Sequence, residues 1–331
     1  MPLYVLTFLV AFLLSLYLTP LFRQAALKFG IVDRPVGPLK KQAEPVPYLG
    51  GLAVYLSFLL TTGLMYQYSR EVLGILLAGA IIVILGLIDD LGVLTPKEKL
   101  LGQFIAASVL VKASIYVRLS FLPLWLAILL TLLWVVAITN AFNLIDIMDG
   151  LAAGVGAIAA GILVVVNYRS GREFIVPLSA ALAGSLVGFL RYNFKPAKIY
   201  LRDTGSLFIG LMLSALATNG AYTRVSVLGL VAPLMILGVP IFDMLLVIYI
   251  RYRRGISIMQ GSPDHFALRL RKWRLSVEQT VVASYMAAAF LGLAALVVTR
   301  VETRSVCLLT AAILLAGISI GYYLKRVDIT L

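Results

Sequence analysis

Leu73-Gly-Ile-Leu-Leu-Ala-Gly-Ala-Ile-Ile-Val-Ile-Leu-Gly-Leu-Ile88 is followed at once by Asp89-Asp90. The run neither alternates with period two nor presents a polar face, so it reads as a helix crossing lipid. Two carboxylates at its C-terminal end meet the negative pole of the helix, which is unfavourable unless something positive compensates. A divalent cation or Lys97 and Lys99 would serve; a solvated loop start is the plainer reading.

Similar runs recur at about 3–22, 48–67, 100–117, 121–139, 152–168, 174–192, 205–221, 226–250, 278–299 and 304–324. Composition agrees: the 331 residues are 61% hydrophobic and only 13% charged, with a mean hydropathy of +1.01. A soluble domain carries about twice that charged fraction. The expectation is an all-α, polytopic integral membrane protein with about eleven spanning helices, forming one transmembrane catalytic domain over 1–331. Strands are not expected, because an open sheet edge does not survive in lipid.

The first run has no basic residue before it and no small-residue cleavage site after it, so it reads as an uncleaved span with the N-terminus outside. The loops at about 23–47, 89–99, 140–151, 193–204 and 251–277, with the tail from Lys325, then lie on the cytoplasmic side. That side receives 20 of the 28 lysines and arginines, the sign expected of loops left inside. It also receives twelve of the fifteen acids. The net charge of +13 therefore needs no nucleic-acid partner, and a basic face suits anionic lipid head groups. Cys307 is the one cysteine and suggests neither a disulfide nor a metal site. Gly150/Gly154 and Gly184/Gly188 have the spacing of close helix packing.

Four stretches carry polar chemistry beside Asp89-Asp90. Asn140, Asn143, Asp146 and Asp149 recur every third position after an apolar span. All four cannot share one face of a straight α-helix, so the segment must tighten, break near Gly150 or wrap a water-filled cleft. Their oxygens suit Mg²⁺ and hydrogen bonds to a nucleotide; a structural interhelical network is the bland alternative. Arg202-Asp203-Thr-Gly205-Ser206 opens the eighth run, where N-cap chemistry or an anion or cation site are both open. Asp243 lies inside the ninth run, and such residues usually face the protein interior or water. The basic loop beyond it holds the single histidine, His265, and Arg269.

In order along the chain, these stretches resemble the motifs of the polyprenyl-phosphate N-acetylhexosamine-1-phosphate transferases (glycosyltransferase family 4). Asp33-Arg-Pro, Lys40 and the PVPYLGG run look like that family's entrance element. DDLGVLTPKEKLLGQ, NAFNLIDIMDGLAAG, RDTGSLFIG and HFALRL are similar to its four later motifs. The departures are Gln42 for a frequent histidine, Ile147 and Arg202 at glycine positions, and Ala267 and Leu268 at histidine positions. The depleted histidines bring the chain closer to the WecA type than to the MraY type.

The resemblance implies transfer of a HexNAc-1-phosphate, N-acetylglucosamine-1-phosphate by preference, from a UDP-sugar to undecaprenyl or another polyprenyl phosphate, with release of UMP. Phospho-MurNAc-pentapeptide transfer is the alternative donor reading. A secondary transporter is the distant one, since transporters carry inverted repeats and polar helices at midplane. By resemblance Asp89, Asp90 and Asp203 are the catalytic candidates, with Mg²⁺ (or Mn²⁺) on Asn143 and Asp203. Lys40, Lys99, Asn140, Asp146, Asp149, His265 and Arg269 are the substrate-binding candidates. The implied setting is the bacterial cytoplasmic membrane with the site facing the cytoplasm; a homodimer is compatible with it.

Overall fold

The computed structural model describes residues 2–33, 45–65, 69–119, 121–171, 175–218, 220, 222, 227–257 and 263–327. The helices are α1 (Leu3–Lys28), α2 (Gly50–Met65), α3 (Arg70–Asp90), α4 (Pro96–Lys112), α5 (Leu124–Ile145), α6 (Leu151–Arg169) and α7 (Ile175–Asn193). They continue with α8 (Arg202–Thr218), α9 (Ala232–Ile236), α10 (Gly238–Arg254), α11 (Phe266–Lys272), α12 (Val277–Val298) and α13 (Thr303–Leu324). Lys40 and Gln42 lie outside the described residues.

Each expected apolar run coincides with a helix, with two corrections. Among the described residues seven helices have the length and apolarity of a complete crossing, or eight if a bent pair counts as one. That pair is the 226–250 run, which is not one helix: Val227–Ile236 and Gly238–Arg254 meet at 78°. The helices α2, α4 and α8 are 16 or 17 residues long. The second correction is a two-residue antiparallel pair, β1 (Val32–Asp33) with β2 (Val46–Pro47). It lies in a loop outside the apolar runs, where unpaired edges meet no hydrocarbon.

The shortness of α8 follows from where it sits. Every residue from Thr204 to Ala217 is buried, and the helix is packed by α2, α3, α5 and α6. A helix covered by protein on all sides need not match the thickness of the bilayer, which only lipid-facing helices meet directly. At the other extreme the apolar window of α13 is 6% buried. Leu308, Leu314, Leu315 and Ile318 face outward from it, a surface that suits lipid rather than water. Gly184 and Gly188 do pack closely as their spacing predicts: a Cβ there would press on the Phe8 and Phe12 carbonyls of α1.

Local capping fixes the helix ends that matter for function. Thr95 and Glu98 form a capping box, with Thr95 N–H donating to Glu98 Oε2 at 2.7 Å and Glu98 N–H donating to Thr95 Oγ1 at 3.4 Å. This starts α4 one turn before Lys99. At the same end of the bundle Arg23, from α1, donates to the Lys198 carbonyl at 3.1 Å. Tyr200 N–H donates to the Pro47 carbonyl at 2.8 Å.

Candidate active site

The C-terminal end of α3 abuts the N-terminal end of α8. Small residues allow it: a Cβ on Gly86 would come within 2.5 Å of the Thr204 Cα, and one on Gly51 within 2.2 Å of the Gly205 N. Asp90 spans this junction. Its carboxylate accepts from Asp203 N–H (3.0 Å), Thr204 N–H (3.1 Å) and Thr204 Oγ1–H (2.5 Å). The N-terminus of α8 is therefore capped by a carboxylate from another helix, occupying the place where the sequence left room for an anion. One negative helix end and one positive helix end are joined through the same side chain.

Asp89 faces differently. Lys99 Nζ lies 2.6 Å from Asp89 Oδ2 and 2.8 Å from Asp203 Oδ2, and it donates to Asn143 Oδ1 at 3.1 Å. Asn143 in turn donates to Asp203 Oδ1 at 2.7 Å and to Ser206 Oγ at 3.0 Å. Three oxygens from α3, α5 and α8 thus converge on one ammonium. Of the two compensating lysines expected beside Asp89-Asp90, Lys99 is the one in place.

Hard oxygen donors around a single positive centre are also the donor set of Mg²⁺, and the ammonium stands where such an ion would find them. Among the described residues no three His, Cys, Asp or Glu side chains form a complete metal cage. Mg²⁺ commonly takes one or two carboxylates and completes its shell with water and substrate phosphate. The residues present fit that pattern.

The Asn140–Asp149 stretch breaks, one of the three outcomes its spacing allowed. α5 ends at Ile145, Asp146 is its C-cap, and Gly150 opens α6 in the left-handed region at φ 77°. Asp146 and Asp149 are thereby turned into a cleft of about 220 Å³ lined also by Asp33, Asn193, Tyr200 and Arg202. Asp149 Oδ2 accepts from Ala197 N–H at 3.0 Å. Burial, then the negative charges of Asp203 and Asp90, push the Asp146 carboxyl up to about 8, against a smaller opposing pull from Arg202. The Tyr200 hydroxyl is pushed up to about 12 by burial and by the nearby Asp149 and Asp33.

Three substrate-binding candidates are placed elsewhere. Asn140 is paired amide to amide with buried Gln103, donating to its Oε1 at 2.5 Å and to the Val136 carbonyl at 2.8 Å. This is the interhelical network that was the bland reading. Arg269, expected to touch substrate, is fully buried. It donates to the Leu324 and Val327 carbonyls at 3.1 and 2.7 Å and pairs with Asp264 Oδ1 at 2.7 Å. Its charge and donors are engaged in fastening the tail after α13 to the loop before α11. His265 is buried, with Nδ1 2.8 Å from Asp243 Oδ2, and Phe266 N–H donates to Asp243 Oδ1 at 2.8 Å. Asp243 thus faces the protein interior, as an acid within a span should.

Two residues gain importance that the sequence reading did not give them. Asp33 lines the cleft, and its register opposite Val46 is set by the short strand pair. Arg202 also lines it, at φ 58°. Its occurrence at a glycine position was the available signal.

Comparison with known proteins places residues 72–221 within the model of glycosyl transferase family 4. A Bacillus subtilis protein named "Probable undecaprenyl-phosphate N-acetylglucosaminyl 1-phosphate transferase" is 36% identical over 302 residues, covering 88% of this chain and 84% of that one. The decaprenyl-phosphate N-acetylglucosaminephosphotransferase of Mycolicibacterium smegmatis is 34% identical over 318 residues, covering 84% and 78%. The phospho-N-acetylmuramoyl-pentapeptide-transferase of Bacillus subtilis is 34% identical over 312 residues, covering 86% and 92%.

Proposed function

Since the chain belongs to glycosyl transferase family 4, we propose that it transfers N-acetylglucosamine-1-phosphate, or a related HexNAc-1-phosphate, from a UDP-sugar to a polyprenyl phosphate. UMP leaves, and a lipid-linked diphosphate sugar is formed for envelope polysaccharide synthesis. The observation that carries this reading is the convergence of Asp89, Lys99, Asn143 and Asp203 beside an acidic cleft at one end of an apolar bundle. A lipid phosphate can reach that end from the bilayer and a soluble nucleotide from the water. The names of these relatives favour N-acetylglucosamine over the muramoyl-pentapeptide donor.

The chemistry asked of the site is mainly electrostatic. The acceptor is a phosphate monoester with a second pKa near ~6, so much of it is dianionic at neutral pH. A strong base is not required; two anions must be brought together in line. Asp203 and Asn143 would hold Mg²⁺, which supplies charge neutralisation on the transferring phosphate. Lys99 contributes a second positive charge on the same side. Asp89, with no helix end to cap, orients the acceptor phosphate or takes its residual proton. Asp90 keeps α8 in place beneath them. Asp146 and Asp149 receive the nucleoside side of the donor through hydrogen bonds. The charge bias of the loops supports a site facing the cytoplasm of a bacterial inner membrane.

The test is a release assay with purified protein, undecaprenyl phosphate, Mg²⁺ and a panel of UDP-sugars, scored for UMP. UDP-GlcNAc is expected to give UMP in a lipid-dependent manner. No UMP from any donor with folded protein would sink the reading, and UMP from UDP-MurNAc-pentapeptide alone would reverse the choice of donor.

A further inference from the structure

Arg202 occupies a position that backbone geometry reserves for glycine. At φ 58° it is in the left-handed region, which costs a residue with a Cβ roughly 1–2 kcal/mol. Its guanidinium carbon lies 4.7 Å from the centre of the Tyr48 ring, a stacking distance. Its Nε is buried without a hydrogen-bond partner and sits 3.7 Å from Asp90 Oδ1, close enough for charge attraction and too far for a hydrogen bond. The side chain is 38% exposed. It is stacked, part-buried and open to the cleft.

Charge gives this placement a meaning. Asp33, Asp146 and Asp149 line the cleft, and Arg202 is the one cationic side chain among its described lining residues. Carboxylates and a tyrosine can receive the hydroxyls and N–H groups of a nucleoside, but they offer its phosphates no positive charge. The next cation is Lys99, held by Asp89 and Asp203 and outside that lining. A nucleoside diphosphate lying along the cleft would meet Arg202 as the one cation of its described lining. The planar fork of an arginine, stiffened against an aromatic ring, is suited to a phosphate in a way that a lysine is not.

We propose that Arg202 is a phosphate-binding residue for the diphosphate of the nucleotide sugar, tolerated in a glycine conformation because Tyr48 and Asp90 hold it there. The inference rests on the proposed function and adds a specificity element of this chain: the pull of the cleft on the phosphate rather than on the nucleoside.

Arg202→Gly is the informative variant, because it removes the guanidinium while giving the backbone the residue it prefers. Its melting temperature should be equal to or higher than that of the wild type. Direct binding to the purified protein in Mg²⁺ would be measured for UMP, UDP and uridine. A lost charged hydrogen bond predicts about a ten- to hundredfold weaker affinity for UMP and UDP with uridine unchanged. Arg202→Lys should fall between the two proteins. UMP bound as tightly by Arg202→Gly as by the wild type would overturn the assignment, and so would an equal loss for uridine. A wild type that binds none of the three and releases no UMP from any UDP-sugar would overturn the proposed function with it. Normal wild-type binding and turnover with an indifferent Arg202→Gly would overturn the inference alone.

Discussion

Asp89 and Asp90 are neighbours in sequence, yet the structure predicts opposite consequences for their loss. Asp90→Ala removes a carboxylate that accepts from two backbone N–H groups and one hydroxyl at the start of α8. That helix end is part-buried, so the donors left behind are poorly reached by water. Each stranded donor costs about 1–3 kcal/mol, and two backbone donors together give roughly 2–6 kcal/mol. At about 2 °C per kcal/mol for a large domain, the melting temperature should fall by about 4–12 °C. Asp89→Asn instead breaks a part-exposed pair with Lys99, which retains Asp203 at 2.8 Å. Its thermal shift should be smaller than that of Asp90→Ala, because asparagine keeps the volume and an oxygen acceptor while Asp203 still pairs with Lys99, whereas UMP release is lost. Both variants would be purified in the same detergent and compared by thermal unfolding and by UMP release. An Asp90→Ala protein with wild-type melting and no turnover would refute the division of labour, since it would make Asp90 a chemical group and not a cap.

Other expectations follow from the same geometry. Asp203→Asn should nearly abolish UMP release with Mg²⁺ present; retained full activity would remove Asp203 from the proposed ion. The Asp146 carboxyl, at about 8 when folded against about 3.9 in an unfolded chain, holds a proton between these values that the unfolded chain lacks. Stability should therefore fall as pH rises from about 4 to about 8, and Asp146→Asn should flatten that slope in melting curves taken without divalent cation. Asp146→Ala should mainly raise the KM for the UDP-sugar; an unchanged KM with a lost kcat would move the residue into the chemistry. Arg269→Ala should lower the melting temperature and the yield of folded protein, since stripping one partner from a buried ion pair costs about 3–5 kcal/mol.

The spans and the residues of the central cluster were legible in the sequence for a simple reason. An apolar run is a one-dimensional signal, and Asp89, Asn143 and Asp203 sit at the ends of such runs, so topology alone returns them to one edge. The division between Asp89 and Asp90 was not legible, because it depends on which carboxylate meets α8. The bend within 226–250 left a trace in Pro233 and Pro240, which remove backbone donors from a helix. Apolarity alone hid it. Asn140 and Arg269 read as substrate contacts in the sequence, while the partners the structure gives them lie far along the chain: Gln103 is 37 residues away, and Leu324 is 55. A polar residue that completes a buried network and one that awaits a ligand look the same until the neighbours are known.

The clasp made by Arg269 bears on the order in which the protein can be built. Its acceptors at Leu324 and Val327 leave the ribosome more than fifty residues after it does, and α12 and α13 must be threaded into the bilayer in between. Until then a charged side chain destined for a dry interior has no partner for much of its hydrogen-bonding capacity. The clasp on α11 therefore closes only after α12 and α13 have been made. The α13 helix, which is buried least of the spans, thus fixes the loop before α11 from the far end of the chain.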